Sequence, residues 1–192
     1  MDAVSSIFKN AIAAAFMKLC TEKDMADITT KDITDTCGIS RQTFYNHFHD
    51  KYEVMSYLFD EAAQKATEPL SEGYGSVYSA IVTMLKYAAG NRNYYTSIAR
   101  LKGQNSFEDY FCTYSMAYYS HVIRQYYGEE ALTPEIHFDI SFNCHAVTRE
   151  FMTWILTGMK VAPEQLALYM TNAMPEQLKK LLNGISSVPD EG

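Results

Sequence analysis

Apolar residues recur at helical spacing along almost the whole chain. Ile7 or Phe8, with Ala11, Ala15, Phe16, Leu19 and Cys20, makes one apolar face and predicts a helix from about Val4 to Glu22. Thr29 or Thr30 then caps a second helix to about Thr36, with Asp32 in the first turn, where a carboxylate complements exposed amides and the helix dipole. Gly38 supplies the freedom that a tight corner needs, Ile39 buries its side chain between two helices, and Ser40 caps the next helix, Arg41 to about Phe48. Phe44 and Phe48, one turn apart, face inward. Asp50 and Glu53 form a capping-box-like start for a longer helix whose Val54, Met55, Leu58, Phe59 and Ala62 fall at core spacings, and Pro69 ends it after Thr67. Further helices are predicted at 74–89, 92–101 and 106–127, with breaks near Gly90-Asn91 and from Gly103 to Asn105. Thr133 and Pro134 open another that runs to about Thr157, with Ile136, Ile140, Cys144, Val147, Phe151 and Ile155 on one stripe and Gly158 as its stop. Pro163 opens a last helix that kinks or restarts at Pro175. The fold class is all-α, with about nine helices.

Two short helices hinged at a glycine, followed by a capped longer helix, have the layout of a module that inserts into a DNA major groove. The first turn after Ser40 presents Arg41, Gln42 and Thr43 outward. Arginine can pair bidentately with guanine, while glutamine and asparagine can do so with adenine, so Arg41, Gln42 and Asn46 are the candidates for reading base edges.

The combination of Gly38, Ile39, Ser40, Thr43, Phe44, Tyr45, His47, Phe48 and Lys51 at this spacing resembles the DNA-binding module of the TetR/AcrR family of transcription regulators. The resemblance is tight over residues 28–59 and looser beyond. It implies that Thr30, Thr43, Tyr45, His47 and Lys51 touch the phosphate backbone, and hydroxyl, imidazole and ammonium groups all suit anionic oxygens. Within the family, the RQTFYNHF segment together with Thr148–Glu150 is similar to the regulators of dihydroxyacetone kinase operons, a subgroup that leaves activation or repression open.

Charge alters this picture. The chain carries 16 Lys and Arg against 23 Asp and Glu, net −7, and its first 60 residues hold six basic groups against nine acidic. Sequence-independent phosphate attraction calls for the opposite balance. Useful affinity is therefore expected from two copies held at the spacing of one duplex turn, about 34–36 Å, or a multiple of it. Double-stranded DNA bearing a palindromic operator and a second copy of the chain are the expected partners. The resemblance implies that the last two helices pair with those of the second subunit, and the helix from Pro134, with Phe138, Phe142, Met152 and Trp154 off its main stripe, suits contact with both its own core and a partner.

Eleven of the fifteen tyrosines lie between Tyr74 and Tyr127. Buried phenols need partners, and rings with a few polar tips are how concave sites hold small molecules. TetR-like regulators carry an effector pocket in this part of the chain, so the resemblance implies ligand control of DNA affinity. Phe111, Tyr114, Tyr118, His145 and Arg149 are the candidate effector contacts, and a domain that docks a protein partner instead is the alternative. The expected division is a helix-turn-helix DNA-binding domain at 1–50, a helical effector-binding and dimerisation domain at 51–185 and a disordered tail at 186–192.

Cys20, Cys37, Cys112 and Cys144 are widely separated with no C-x-x-C pair, which favours reduced thiols. No metal site or cofactor is expected: His137 and Cys144 share a helix face, but no second pair completes a site. No nucleophile–base pair argues for an enzyme. No apolar stretch approaches the ~20 residues that cross a bilayer, and the acidic start is unlike a signal peptide, so the expected location is cytoplasmic.

Overall fold

The computed structural model describes residues 3–103 and 105–185. Ten α-helices follow in order among them: α1 (Ala3–Glu22), α2 (Thr30–Cys37), α3 (Arg41–Tyr45), α4 (Lys51–Ser71), α5 (Val77–Gly90), α6 (Arg92–Ala99), α7 (Phe107–Tyr127), α8 (Pro134–Leu156), α9 (Pro163–Asn172) and α10 (Glu176–Ile185). Two 3-10 turns, Met25–Asp27 and Glu129–Ala131, precede α2 and α8. The all-helical class is as expected, and the count rises to ten because the chain restarts after Pro175 as a separate α10. The tail expected at 186–192 lies outside the described residues.

Pro69 does not end α4. The helix runs on to Ser71, because a proline in the last turn removes one backbone donor where few ladder bonds remain. The freed end is satisfied from elsewhere. The N–H groups of Tyr74 and Gly75 both return to Pro69 O, at 3.0 and 2.8 Å, so residues 74–75 close α4 and do not begin α5. Helix α5 starts later, behind Ser76 and Ser79, whose hydroxyls accept from each other's N–H at 3.1 and 3.0 Å. Gly75 permits this corner, since a Cβ there would lie 2.7 Å from Pro69 C and 2.8 Å from Leu70 N.

The chain divides into two compact units, Met1–Glu61 with Asn91–Phe107, and Ala62–Gly90 with Glu108–Gly192. In the first, α1 packs on α2 and on α6, and α2 packs on α3. Phe16, Met25, Ile33, Phe44, Tyr95, Ile98 and Phe107 are fully buried there. Residues 91–107 therefore complete the core of the helix-turn-helix unit, and Ser97 Oγ accepts a 2.8 Å hydrogen bond from the buried Met25 N–H. In the second unit α5 packs on α9 and α8 on α10, around Leu70, Val122, Ile140, Cys144, Leu178 and Leu182. All four cysteines are free thiols.

Candidate nucleic-acid interface

Local capping builds the helix-turn-helix pair. Thr29 Oγ1 accepts from Asp32 N–H at 3.2 Å while Asp32 Oδ2 accepts from Thr29 N–H at 2.7 Å, a reciprocal box that starts α2. The Lys23 ammonium, 2.8 Å away, and the Thr29 donors hold the Asp32 carboxyl well below the usual carboxylate range. Gly38 then takes the left-handed conformation, φ +68°, and turns the chain. Ser40 Oγ accepts from Thr43 N–H at 3.0 Å and starts α3. Helix α3 stops at Tyr45, shorter than the expected Phe48, but the turn continues through Phe48 N–H to Phe44 O at 2.9 Å, and both phenylalanines are buried.

With Phe44 and Phe48 inward, Arg41, Gln42, Tyr45 and Asn46 are exposed and Thr30, Thr43 and His47 half-buried. Gln42 Nε2 donates to Asn46 Oδ1 at 3.1 Å, which places both amides on one outward edge. Tyr45 keeps 52% of its surface exposed with its ring edge-on to Phe44. His47 stacks on Phe8, centroids 5.4 Å apart, so α1 fixes the imidazole from the side.

Lys51 sits differently from a free phosphate clamp. Its ammonium donates to the carbonyls of Met25, Ala26 and Ile28, each at 2.8 Å, and so uses all three N–H groups. Desolvation lowers its pKa, against the pull of Asp27 and Cys20. The residue ties the start of α4 to the turn that leads into α2. The α4 start itself is half of the expected capping box: Asp50 Oδ1 accepts from Glu53 N–H at 2.9 Å, but Glu53 Oε2 reaches back to His49 N–H at 2.6 Å. A 430 Å³ cleft in the same unit lies between the end of α1 and α6, lined by Lys23, Asp24, Arg92, Thr96 and Arg100 among others.

The five candidate effector contacts do not share one environment. Phe111 is buried against Phe151, centroids 4.9 Å apart, and Tyr114 is half-buried. Tyr118 donates its phenol to Thr67 O at 3.2 Å, as Tyr126 does to Ser71 O at 2.9 Å and Tyr127 to Leu181 O at 2.9 Å. Three of the phenols thus cap helix carbonyls, Tyr126 taking the terminal Ser71 O of α4. Burial pushes the Tyr118 phenol up to about 12. His145 and Arg149 are exposed on the outer stripe of α8 with Phe138 and Phe142, which stack at 6.1 Å and keep 67% and 59% of their surface. Arg149 lies 3.6 Å from Glu108, and His145 Nδ1 is 2.7 Å from Ser141 O. Met152 and Trp154, expected off the main stripe, are buried instead, Trp154 Nε1 donating to Val161 O at 2.8 Å.

Sequence reasoning missed Lys9, whose ammonium lies 5.5 Å from the ring centroids of both Phe48 and Tyr57. It also missed the part of residues 91–107 in this unit.

Comparison with known proteins agrees with this geometry. Residues 12–58 match the family described as bacterial regulatory proteins, tetR family, and residues 75–176 match a TetR-type family described as transcriptional regulator C-terminal region. A relative from Lactococcus lactis subsp. lactis strain IL1403, the HTH-type dhaKLM operon transcriptional activator DhaS, is 31% identical over 107 residues. That match spans 56% of this chain and 56% of the relative, so the chain covers about half of that protein's length. The solved structure of a dihydroxyacetone kinase operon activator DhaS is similar with TM-score 0.61 and 23% identity, over 96% of this chain and 99% of that one. A TetR-family regulator structure from Syntrophomonas wolfei str. Goettingen gives TM-score 0.57 at 17% identity, covering 97% and 99%. The repressor AlkX from Dietzia sp. strain DQ12-45-1b gives 0.52 at 15%, covering 91% and 96%. At these identities the structures speak for the fold.

Proposed function

We propose that this chain, which belongs to the TetR family of transcription regulators, binds a palindromic operator as a homodimer and changes its DNA affinity in response to an effector at the second helical unit. Its family consists of regulators and not enzymes. Among the described residues no helix is long and apolar enough to cross a membrane.

One observation carries the DNA reading. Helix α3, five residues long, buries Phe44 while it leaves Arg41, Gln42 and Tyr45 exposed together with Asn46 at its C-cap, far more hydrogen-bonding capacity than a surface turn needs for stability. Arg41, Gln42 and Asn46 are proposed to read base edges, and Thr30, Thr43, Tyr45 and His47 to hold phosphates. Lys51 is assigned to positioning these groups, since its donors are already taken.

The dimer reading rests on the outer stripe of α8. Phe138, Phe142 and Leu156, with Leu168 and Tyr169 on α9, are large apolar residues left at the surface of one unit. Two copies pairing these helices would cover them and fix the distance between the reading heads. Control then requires an effector that favours one dimer conformation, a differential typically worth about 1–3 kcal/mol.

A gel shift against DNA upstream of the chain's own gene, with light scattering of the same sample, tests the reading. A shifted duplex with a dimer mass supports it. A monomer, or no preference for any duplex, removes it. The second reading replaces the small effector by a protein partner, and the commitment of Tyr118, Tyr126 and Tyr127 to helix carbonyls favours it, because fewer polar tips remain to hold a small molecule. A purified partner that alters the gel shift while small molecules leave it unchanged would decide for it.

A further inference from the structure

The first 60 residues contain six basic side chains, and the structure accounts for three of them internally. Lys23 pairs with Asp32 at 2.8 Å, Lys31 with Asp35 at 3.0 Å, and Lys51 is spent on three carbonyls. That leaves Arg41, Lys9 and Lys18 without a carboxylate partner among the described residues. Arg41 belongs to the base-reading edge. Lys9 and Lys18 are nine residues apart on α1, two and a half turns, and so lie on opposite faces.

Lys9 alone of that pair stands beside the reading head. Its ammonium is parked over Phe48 and Tyr57, 5.5 Å from each centroid, and its neighbour Phe8 stacks on His47 at 5.4 Å. Tyr57 is itself held to α1, donating its phenol to Asn10 Oδ1 at 3.0 Å. Residues 8–10 are thus pinned to residues 47–48 and 57, where the chain leaves the recognition helix. A cation on two ring faces keeps its charge uncompensated and its four-carbon stem ordered, which suits it to a point contact with an anion. The anion that a reading head brings to this edge is a phosphate of the duplex.

We propose that Lys9 is a phosphate-contacting residue of the DNA interface, adjacent to the phosphate held by His47, and that it takes the electrostatic role that Lys51 cannot fill. This rests on the DNA reading above. It implies that α1 is part of the interface and not only its support.

The test is the slope of log Kd against log salt concentration, measured on a duplex from upstream of the chain's own gene and on an unrelated duplex of equal length. Lys9→Gln is expected to flatten the slope by about 0.9 per subunit and to weaken both duplexes by a similar factor, because a phosphate contact carries no sequence information. Lys9→Arg should restore the slope, and Lys18→Gln should leave it at the wild-type value. The thermal midpoint of each variant establishes that it is folded, and the Lys9→Arg result stands even if Lys9→Gln loses stability with its ring contact. A wild-type slope in Lys9→Gln, or equal flattening by Lys18→Gln, would overturn the assignment while DNA binding itself stands. A wild-type protein that binds neither duplex would overturn the DNA reading, and this inference with it.

Discussion

Replacing Lys51 by methionine separates two roles that a lysine at the start of α4 can play. Methionine keeps the apolar stem and removes the donor, so the carbonyls of Met25, Ala26 and Ile28 each lose a charged partner at 2.8 Å. The Ala26 contact is exposed and water replaces it. The Met25 and Ile28 contacts are partly buried; Met25 O keeps the Ile28 N–H at 3.2 Å, whereas the Ile28 carbonyl is left without its donor, which costs about 1–3 kcal/mol. The ammonium's own desolvation, visible in its lowered pKa, is relieved in the variant and offsets part of the loss. The expected net destabilisation of the helix-turn-helix unit is about 1–3 kcal/mol.

Tryptophan fluorescence is a poor probe of this change, because the single tryptophan, Trp154, lies in the other unit. Amide exchange over residues 25–37 reads it directly, and protection there should fall by about 5- to 150-fold, the same free energy expressed as an equilibrium constant. DNA affinity should drop on every sequence while the salt slope keeps its wild-type value, because no phosphate contact is lost. Unchanged exchange together with a slope flattened by about one phosphate per subunit would refute the reasoning and return Lys51 to the backbone of the duplex.

Other substitutions test separate links. Arg41→Ala should relax preference at one base pair per half-site by about 1–3 kcal/mol, read from Kd on a set of single-base operator variants; equal weakening on all sequences would mean a phosphate contact. Tyr126→Phe removes the donor to Ser71 O and should cost the second unit about 0.5–1.5 kcal/mol in denaturant unfolding followed by Trp154, with no cost expected if the phenol is idle. Gly75→Ala drives a Cβ into the backbone of Pro69 and Leu70, which cannot yield as a flexible side chain would, and should lower the same transition by about 1–3 kcal/mol. The depressed Asp32 carboxyl stabilises the α2 start fully above its ordinary value of 3.8 and loses that contribution as pH falls through its lower folded value, so Asp32→Asn should be destabilising at neutral pH and converge on wild type in acid. A gap in amide exchange that stays constant down to low pH would show that the cap, and not the charge, is what matters.

Where information was local, the chain disclosed its own structure. Thr29, Gly38, Ser40, Asp50, Thr133 and Pro134 act within four residues of themselves, and each helix start they predict is found. Pro69 misled because its weight depends on where in a helix it falls, and that was settled by Tyr74 and Gly75 closing back on it. The membership of α6 in the helix-turn-helix core could not be read, since Ser97 meets Met25 across 72 positions and nothing in either neighbourhood announces the other. Lys51 was legible as part of a motif but not as a donor to three carbonyls, because the receiving groups are backbone and leave no side-chain signature. Lys9 was hidden for a similar reason: its partners, Phe48 and Tyr57, looked like plain core and helix residues.

The acid surplus and the internal use of cations lead to one consequence for how such a head finds its site. With Lys23, Lys31 and Lys51 engaged, few ammonium or guanidinium groups per head remain to displace counterions, so the salt dependence of binding should be shallow for a helix-turn-helix protein. The same shortage weakens non-specific binding more than specific binding, because only the former depends almost wholly on charge. On the proposed DNA reading, neutral donors carry the remainder: the hydroxyls of Thr30, Thr43 and Tyr45, the amides of Gln42 and Asn46, and backbone N–H groups at the start of α2 and α3, each of short reach and demanding in geometry. Contacts of that kind add usefully only when both heads are seated at once, which makes the distance between heads, and whatever in the second unit sets it, the quantity on which regulation has most leverage.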